Sequence, residues 1–276
     1  LVMAGLSAAI LAAAGAATAG AIELERNMQD VATIWDESAQ KATGSHLSLE
    51  DATKGVVQLS RELPQSAATA AEGLYQVASS GFQGTDAMKV LEAAMTAASA
   101  GLTNTETAAR GITAVLNAYG MNATRATEVS DILFETVNLG IISFGELSNV
   151  LGDFVGLTAQ AGVEFDGGAA ALATMTLAGV TTAEAGTSLN RVMQAFIDPS
   201  VSMVAILQEL GYESGFAALE QEGLHGIMTR LRGEIGQNVE SWSMLFPEIR
   251  GLRGALGLVA ANGANYNRVA AQMTNE

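Results

Sequence analysis

Cysteine is missing from the 276-residue chain, proline occurs three times, and charged residues make up only 15%. Without cysteine there is no disulfide, no thiol nucleophile and no cysteine metal site, and the redox compartment leaves no trace. About a quarter of a globular chain is usually charged, so less of this surface is built for bulk water; burial by neighbouring copies is one explanation. Cations are scarcest. The chain has 13 Lys and Arg against 29 Asp and Glu, a net charge of -16. Between Arg125 and Arg191 no basic residue occurs, while the same stretch holds Glu128, Asp131, Glu135, Glu146, Asp153, Glu164, Asp166 and Glu184. Proteins that hold nucleic acid cluster Lys and Arg to displace counterions; specific nucleic-acid binding is therefore excluded.

Catalytic signatures are lacking too. No phosphate loop, dinucleotide-binding glycine fingerprint, zincin motif or nucleophile elbow occurs. His46 sits in a polar stretch and reads as a solvated loop residue. His225, near an expected helix start, reads as a partly buried helix residue, because no nucleophile is implied beside it for a general base to serve. Asp131 and Glu135 are four apart and share a helix face. A hard cation wants six or more oxygens from a shaped loop, so this pair reads as a solvated acidic face. No cofactor or metal is expected. The opening shows no basic n-region of a secretory signal. The chain starts at Leu1 and is expected to be either processed or an excerpt of a longer polypeptide.

What is present is alanine, glycine and helix punctuation. Residues 1–22 carry no charge and are long enough to just span a bilayer. Ten of them are Ala and three Gly, weak drivers of insertion. A second reading fits the same residues. Met3, Leu6, Ile10, Ala13, Ala17, Gly20, Leu24, Asn27, Val31 and Ile34 recur at alternating spacings of three and four, a heptad seam that runs through Glu23, Glu25 and Arg26 without losing phase. Residues 36–64 are more polar, with a short helix expected inside a loop, and Pro64 holds Leu63 out of helical conformation.

Beyond Pro64 a grammar repeats. Gly81-Phe82, Gly101-Leu102, Gly120-Met121, Gly140-Ile141, Gly162-Val163 and Gly179-Val180 each follow an amphipathic run, and Gly211-Tyr212 continues the pattern. A glycine just past a helix end takes the left-handed conformation cheaply, and the apolar residue after it folds back on the last turn. Thr103 with Glu106, Ser143 with Glu146, and Thr181 with Glu184 have capping-box spacing at the next helix start; Thr85, Asn122 or Thr124, and Asp166 are weaker caps. Pro199 is expected in the first turn of a helix, and Asn262-Gly263 breaks the last helical stretch. No strand pattern of useful length occurs. The expected fold is all-α: an Ala/Gly-rich array of short antiparallel helices behind a long N-terminal coiled-coil-like helix. The expected segments are 1–35 (apolar helix), 36–64 (polar connector) and 65–276 (compact helical domain).

One glycine breaks the grammar. Gly186 falls inside a helix, where it costs roughly 1 kcal/mol relative to alanine. Ala185, Gly186 and Thr187 make a flat face on which a neighbouring helix or a second copy can pack closely; self-association and intrachain packing are both open.

Four stretches carry a family resemblance. "AIELERNMQDVATI" resembles the helix that opens the core region of phage tail tape measure proteins, and "LPQSAATAAEGLYQVASSGFQG" is similar to their proline-capped helix ending in glycine and an apolar residue. "AGVTTAEAGTSLNRVMQAFIDPS" resembles the most recognisable stretch of that family, a Gly-apolar turn, an Ala-Gly-Thr helix and a proline-marked break. "MLFPEIRGLRGAL" is similar to its closing segment. The resemblance implies a helical structural protein in the tail tube lumen and at the tail tip, which scaffolds tube assembly, sets tail length and leaves before or with the DNA. It implies partners: further copies of itself as trimer or hexamer, the tail tube protein, tail-tip or baseplate hub and distal tail proteins, and tail assembly chaperones. Two other readings stand beside it. In one, residues 1–22 and the apolar stretch around Gly168 to Val180 insert into the target membrane. In the other, the chain is a wall-degrading enzyme using a glutamate such as Glu72 or Glu146; a non-enzyme is expected.

Overall fold

Alanine-rich amphipathic runs separated by glycine and proline become helices throughout the computed structural model, which describes residues 19–100 and 103–273. No strand occurs among the described residues, and the chain is all-α. It divides into two compact units between Asp131 and Ile132.

The first unit holds α1 (Ala19–Ile34), α2 (Glu37–Thr43), α3 (Leu49–Glu62), α4 (Ala67–Ser79), α5 (Gly84–Ser99) and α6 (Thr105–Ala118). The polar segment expected as a loop with one short helix thus contains two, α2 and the 14-residue α3. Ser48, Ser66 and Asn104 accept the backbone N–H three residues on and cap α3, α4 and α6; each such cap stabilises by about 1 kcal/mol. Asn104, not Thr103, is therefore the cap before Glu106: its side-chain oxygen accepts the Thr107 N–H at 2.8 Å, and the helix starts at Thr105. Helices α4, α5 and α6 share a core of Leu74, Val77, Val90, Leu91, Met95, Ile112, Val115 and Leu116, all fully buried. Helix α1 packs along α4.

The second unit follows, the division falling within α7 (Ala126–Leu139): α8 (Phe144–Gln160), α9 (Phe165–Leu177), α10 (Thr182–Ile197), α11 (Val201–Glu209), α12 (Gly215–Ile235), α13 (Val239–Leu245), α14 (Ile249–Val259) and α15 (Ala264–Met273). Helix α9 is its axis. Every residue from Gly168 to Thr176 is buried, as expected of a helix surrounded on all sides, and α8, α10, α12, α14 and α15 all pack against it. Its buried hydroxyls turn back on their own helix: Thr174 donates to Ala170 O at 2.8 Å and Thr176 to Ala173 O at 2.7 Å. At 13 residues α9 is well short of the ~20 a membrane span needs.

The Gly-apolar grammar has a common geometry. At Gly120, Gly162, Gly179 and Gly211 the glycine is left-handed, and the apolar residue after it donates its N–H five residues back, Val163 to Thr158 O at 3.0 Å for example. That is the double-bonded helix stop in which glycine avoids a side-chain clash. Gly81 is left-handed as well. Gly140 is not: its φ is not positive, and a Cβ there would stand 2.9 Å from the Thr176 hydroxyl, so close packing rather than a left-handed turn calls for glycine. Gly101 and Leu102 lie outside the described residues.

Starts differ more than stops. Ser143 and Glu146 form the complete capping box of α8, Thr181 caps α10 through the Glu184 N–H, and Asn122 caps the short 3-10 turn Ala123–Arg125. Thr85 and Asp166 are not caps: α5 and α9 start behind Gln83 and Glu164, without a side-chain cap bond. Pro199 stands before the cap Ser200 of α11, outside the helix.

Candidate functional site

The sequence "TAEAGTSLNRVM" places a small residue on two sides of α10, and the structure fills both sides. A Cβ on Gly186 would lie 3.1 Å from Val150 Cβ and 3.5 Å from Val150 O, so α8 runs against the glycine face. Ala185 beside it is fully buried, and Thr187 is half-buried, its hydroxyl donating to Ala183 O at 3.1 Å. On the other side, a Cβ on Gly254 of α14 would lie 2.9 Å from Val192 Cγ2 and 3.1 Å from both Ser188 Cβ and Ser188 O. Gly251 faces the Arg191 backbone and Gly257 faces Met175 of α9, both at ordinary contact distance. The sequence singles out Gly186 but does not say which helix meets it, nor that a second face meets α14 to complete a three-helix layer. A periodic mark of α14 is there: Gly251, Gly254 and Gly257 recur every three residues inside "IRGLRGALG".

Polar groups close the rim. Arg253 of α14 meets Glu184 of α10 at 2.8 Å with both side chains about half exposed, a pair of small energetic value. Asn190 donates to Asp153 O of α8. The layer is apolar and small inside and neutralised outside. It can hold helices at close range.

Of the heptad seam, Met3, Leu6, Ile10, Ala13 and Ala17 lie outside the described residues. Leu24, Asn27 and Val31 are buried in the first unit, where α1 packs on α4; Asn27 donates to Ala68 O at 3.0 Å and to Glu72 Oε1 at 3.2 Å. Gly20 is exposed and Ile34 half-buried. This part of the seam engages the chain's own helix.

The glutamates considered for wall chemistry have structural surroundings. Glu72 is exposed and receives Asn27. Glu146 accepts from the Ser143 hydroxyl and N–H, bonds that hold its carboxyl below the usual carboxylate range. A general acid needs the opposite shift. Among the described residues no three His, Asp or Glu side chains converge as metal ligands, and no helix is long and apolar enough to cross a membrane. His46 is exposed; His225 meets Asn267 Oδ1 at 2.9 Å and the edge of Tyr266.

Comparison with known proteins points in one direction. The family described as Phage-related minor tail protein matches residues 53–241. The chain is 27% identical over 274 residues to a probable tape measure protein of Clostridium phage phiCD119, covering 94% of this chain and 29% of that protein. It is 24% identical over 181 residues to a tape measure protein of Pneumococcus phage Dp-1, covering 66% of this chain and 15% of that protein. The chain thus spans less than a third of the length of either relative. No solved structure matches it.

Proposed function

Because the chain belongs to the phage-related minor tail protein family, we propose that this structural tail protein forms a folded helical region of a tail tape measure. The observation that carries the reading is the similarity to a probable tape measure protein along 94% of the chain. In this reading the protein occupies the lumen of the assembling tube and the tail tip, tube subunits polymerise around it, and it leaves before or with the DNA. Tail-tip or baseplate hub and distal tail proteins hold one end, assembly chaperones deliver it, and copies lie side by side as trimer or hexamer. Length setting is proposed for the whole tape measure, of which these residues supply one helical part.

Two physical features support it. The net charge of -16 suits a conduit that must release DNA. The low charge content suits lateral contact between copies, although Leu24, Asn27 and Val31 of the heptad seam are already buried within the chain's own fold. Packing of Gly186 on Val150 favours close helix packing over self-association at Ala185, Gly186 and Thr187. The membrane reading gains nothing from the described residues, since α9 is a short buried core helix.

Quantitative mass spectrometry of purified tailed particles tests the proposal. A few copies per particle, against many of the tube subunit, is the expected result. Absence from particles with normal tails overturns it.

A further inference from the structure

The heptad seam carries one polar side chain, Asn27, in a row otherwise apolar or small. Burying an amide in such a row costs stability unless its polar atoms are all bonded. Asn27 is only 7% exposed. Its Nδ2 donates both hydrogens, to Ala68 O at 3.0 Å and to Glu72 Oε1 at 3.2 Å. Both partners are acceptors, so the amide cannot sit the other way round. Its Oδ1 meets no donor among the described residues.

Asn27 lines a groove of about 470 Å³ between α1, α4 and α6, together with Asp30, Glu72, Tyr75, Gln76 and Glu106. With its nitrogen committed, the oxygen is what Asn27 offers there. Gln76 also turns its nitrogen away, toward Ser80 Oγ at 3.5 Å. Tyr75 stands 41% exposed, which leaves part of its ring open to the groove. No Lys, Arg or His lines the walls. Glu106 is paired with Arg110 of its own helix at 2.6 Å, while Asp30 and Glu72 have no ion pair among the described residues. The groove therefore presents negative charge, a buried acceptor and an aromatic ring.

We propose that this groove takes the side chain of an arginine carried by a basic protein partner. A bare metal ion does not suit it, because no three carboxylates converge as metal ligands among the described residues. A guanidinium does: its five N–H donors form a planar fork that reaches separated acceptors, and its flat face stacks on an aromatic ring. Lysine brings a compact point charge that satisfies fewer of these groups at once. Charge selects the kind of chain. This protein carries a net charge of -16, so a second copy is repelled and a basic chain is attracted. The site is independent of the tail role, because it stands on the first unit's own side chains.

N-acetyl-arginine amide, one guanidinium without charged termini, is the probe. It is titrated into the full chain while the Asn27 side-chain amide and the Tyr75 ring are followed by nuclear magnetic resonance. A Kd on the order of 1 mM at low salt is expected for so small a ligand. N-acetyl-lysine amide is expected to bind about fivefold more weakly. Tyr75→Ala, at an exposed position, and Asn27→Leu, which makes the seam wholly apolar, should each weaken the arginine probe about tenfold with helical circular dichroism unchanged. Tyr75→Ala alone carries the test if Asn27→Leu does not fold. Resonances of Asn27 and Tyr75 that stay unmoved by the probe overturn the proposal. So does equal binding of the lysine probe, which would mean diffuse attraction to acidic groups, or full retention of binding in Tyr75→Ala. Dissociation of a self-associated form by the probe would make the occupant a second copy and overturn the assignment to a basic partner.

Discussion

Gly254 approaches Ser188 so closely that a methyl group in place of its hydrogen would stand 3.1 Å from both the Ser188 Cβ and its carbonyl oxygen. Two helix backbones meet there with nothing between them. The contact decides how α14 lies on α10, and it answers why a chain with 30 glycines puts several inside helices. Gly254→Ala is expected to destabilise the protein by about 1–3 kcal/mol, the cost of overpacking less the helix-propensity gain. Urea denaturation checks it; a variant as stable as the parent would mean that α14 can move away from α10 freely.

Gly152 and Gly156 on α8 pose the reverse case. A Cβ at either position meets nothing within 4 Å, and neither φ is positive. Replacing each by alanine removes only the backbone freedom of the unfolded chain, a gain of roughly 1 kcal/mol per site. The paired variants separate glycine as spacer from glycine as ornament: thermal melts should rise for Gly152→Ala and Gly156→Ala and fall for Gly254→Ala.

The capping box of α8 carries a pH signature. The Ser143 hydroxyl and N–H hold the Glu146 carboxyl below its ordinary value. A depressed carboxyl contributes stability above the unfolded pKa, about 4.3, and loses it as pH falls through the folded value. Ser143→Ala should therefore be less stable than the parent at neutral pH, by about 1 kcal/mol for the lost cap. The gap between the two should narrow on titration from pH 6 to pH 2. A gap that is constant across that range would mean the Ser143–Glu146 exchange contributes nothing.

Tyr266 gives the alkaline counterpart. Its ring is buried, its hydroxyl meets no hydrogen-bond partner among the described residues, and burial, reinforced by the charge of Asp166, pushes its pKa far above the ordinary tyrosine range. A raised folded pKa leaves stability intact below the unfolded value near 10 and lowers it above, by about 1.4 kcal/mol per pH unit. Tyr266→Phe removes both the orphaned hydroxyl and this slope. Its stability at pH 7 should equal or exceed that of the parent, and its loss of stability between pH 10 and pH 11 should be shallower. Equal slopes in the two proteins would place the phenol in contact with water.

Legibility in the sequence tracked the range of the forces. At Gly162 the stop depends on one φ angle and one bond to Thr158, both set within six residues, and the motif was readable. The capping box at Ser143 is equally local. Thr103 failed as a cap because Asn104 stands beside it and local competition between two good caps leaves no mark in spacing. Gly140 looked like one more helix stop, yet it is glycine because Thr176, 36 positions away, leaves no room for a methyl group. Similarly, Gly186 was visible as an anomaly, but its partner Val150 was not, and Gly254 opposite Ser188 went unseen.

By itself, then, the sequence determined the all-helical class, most helix stops, several starts and the absence of recognisable catalytic motifs, because propensity, capping and glycine conformations act over a few residues. Tertiary structure alone decided which small-residue face meets which helix and that α9 is the buried axis of its unit. Those outcomes depend on contacts tens of residues apart, where a methyl group's worth of space is set by another helix and leaves no local pattern to read.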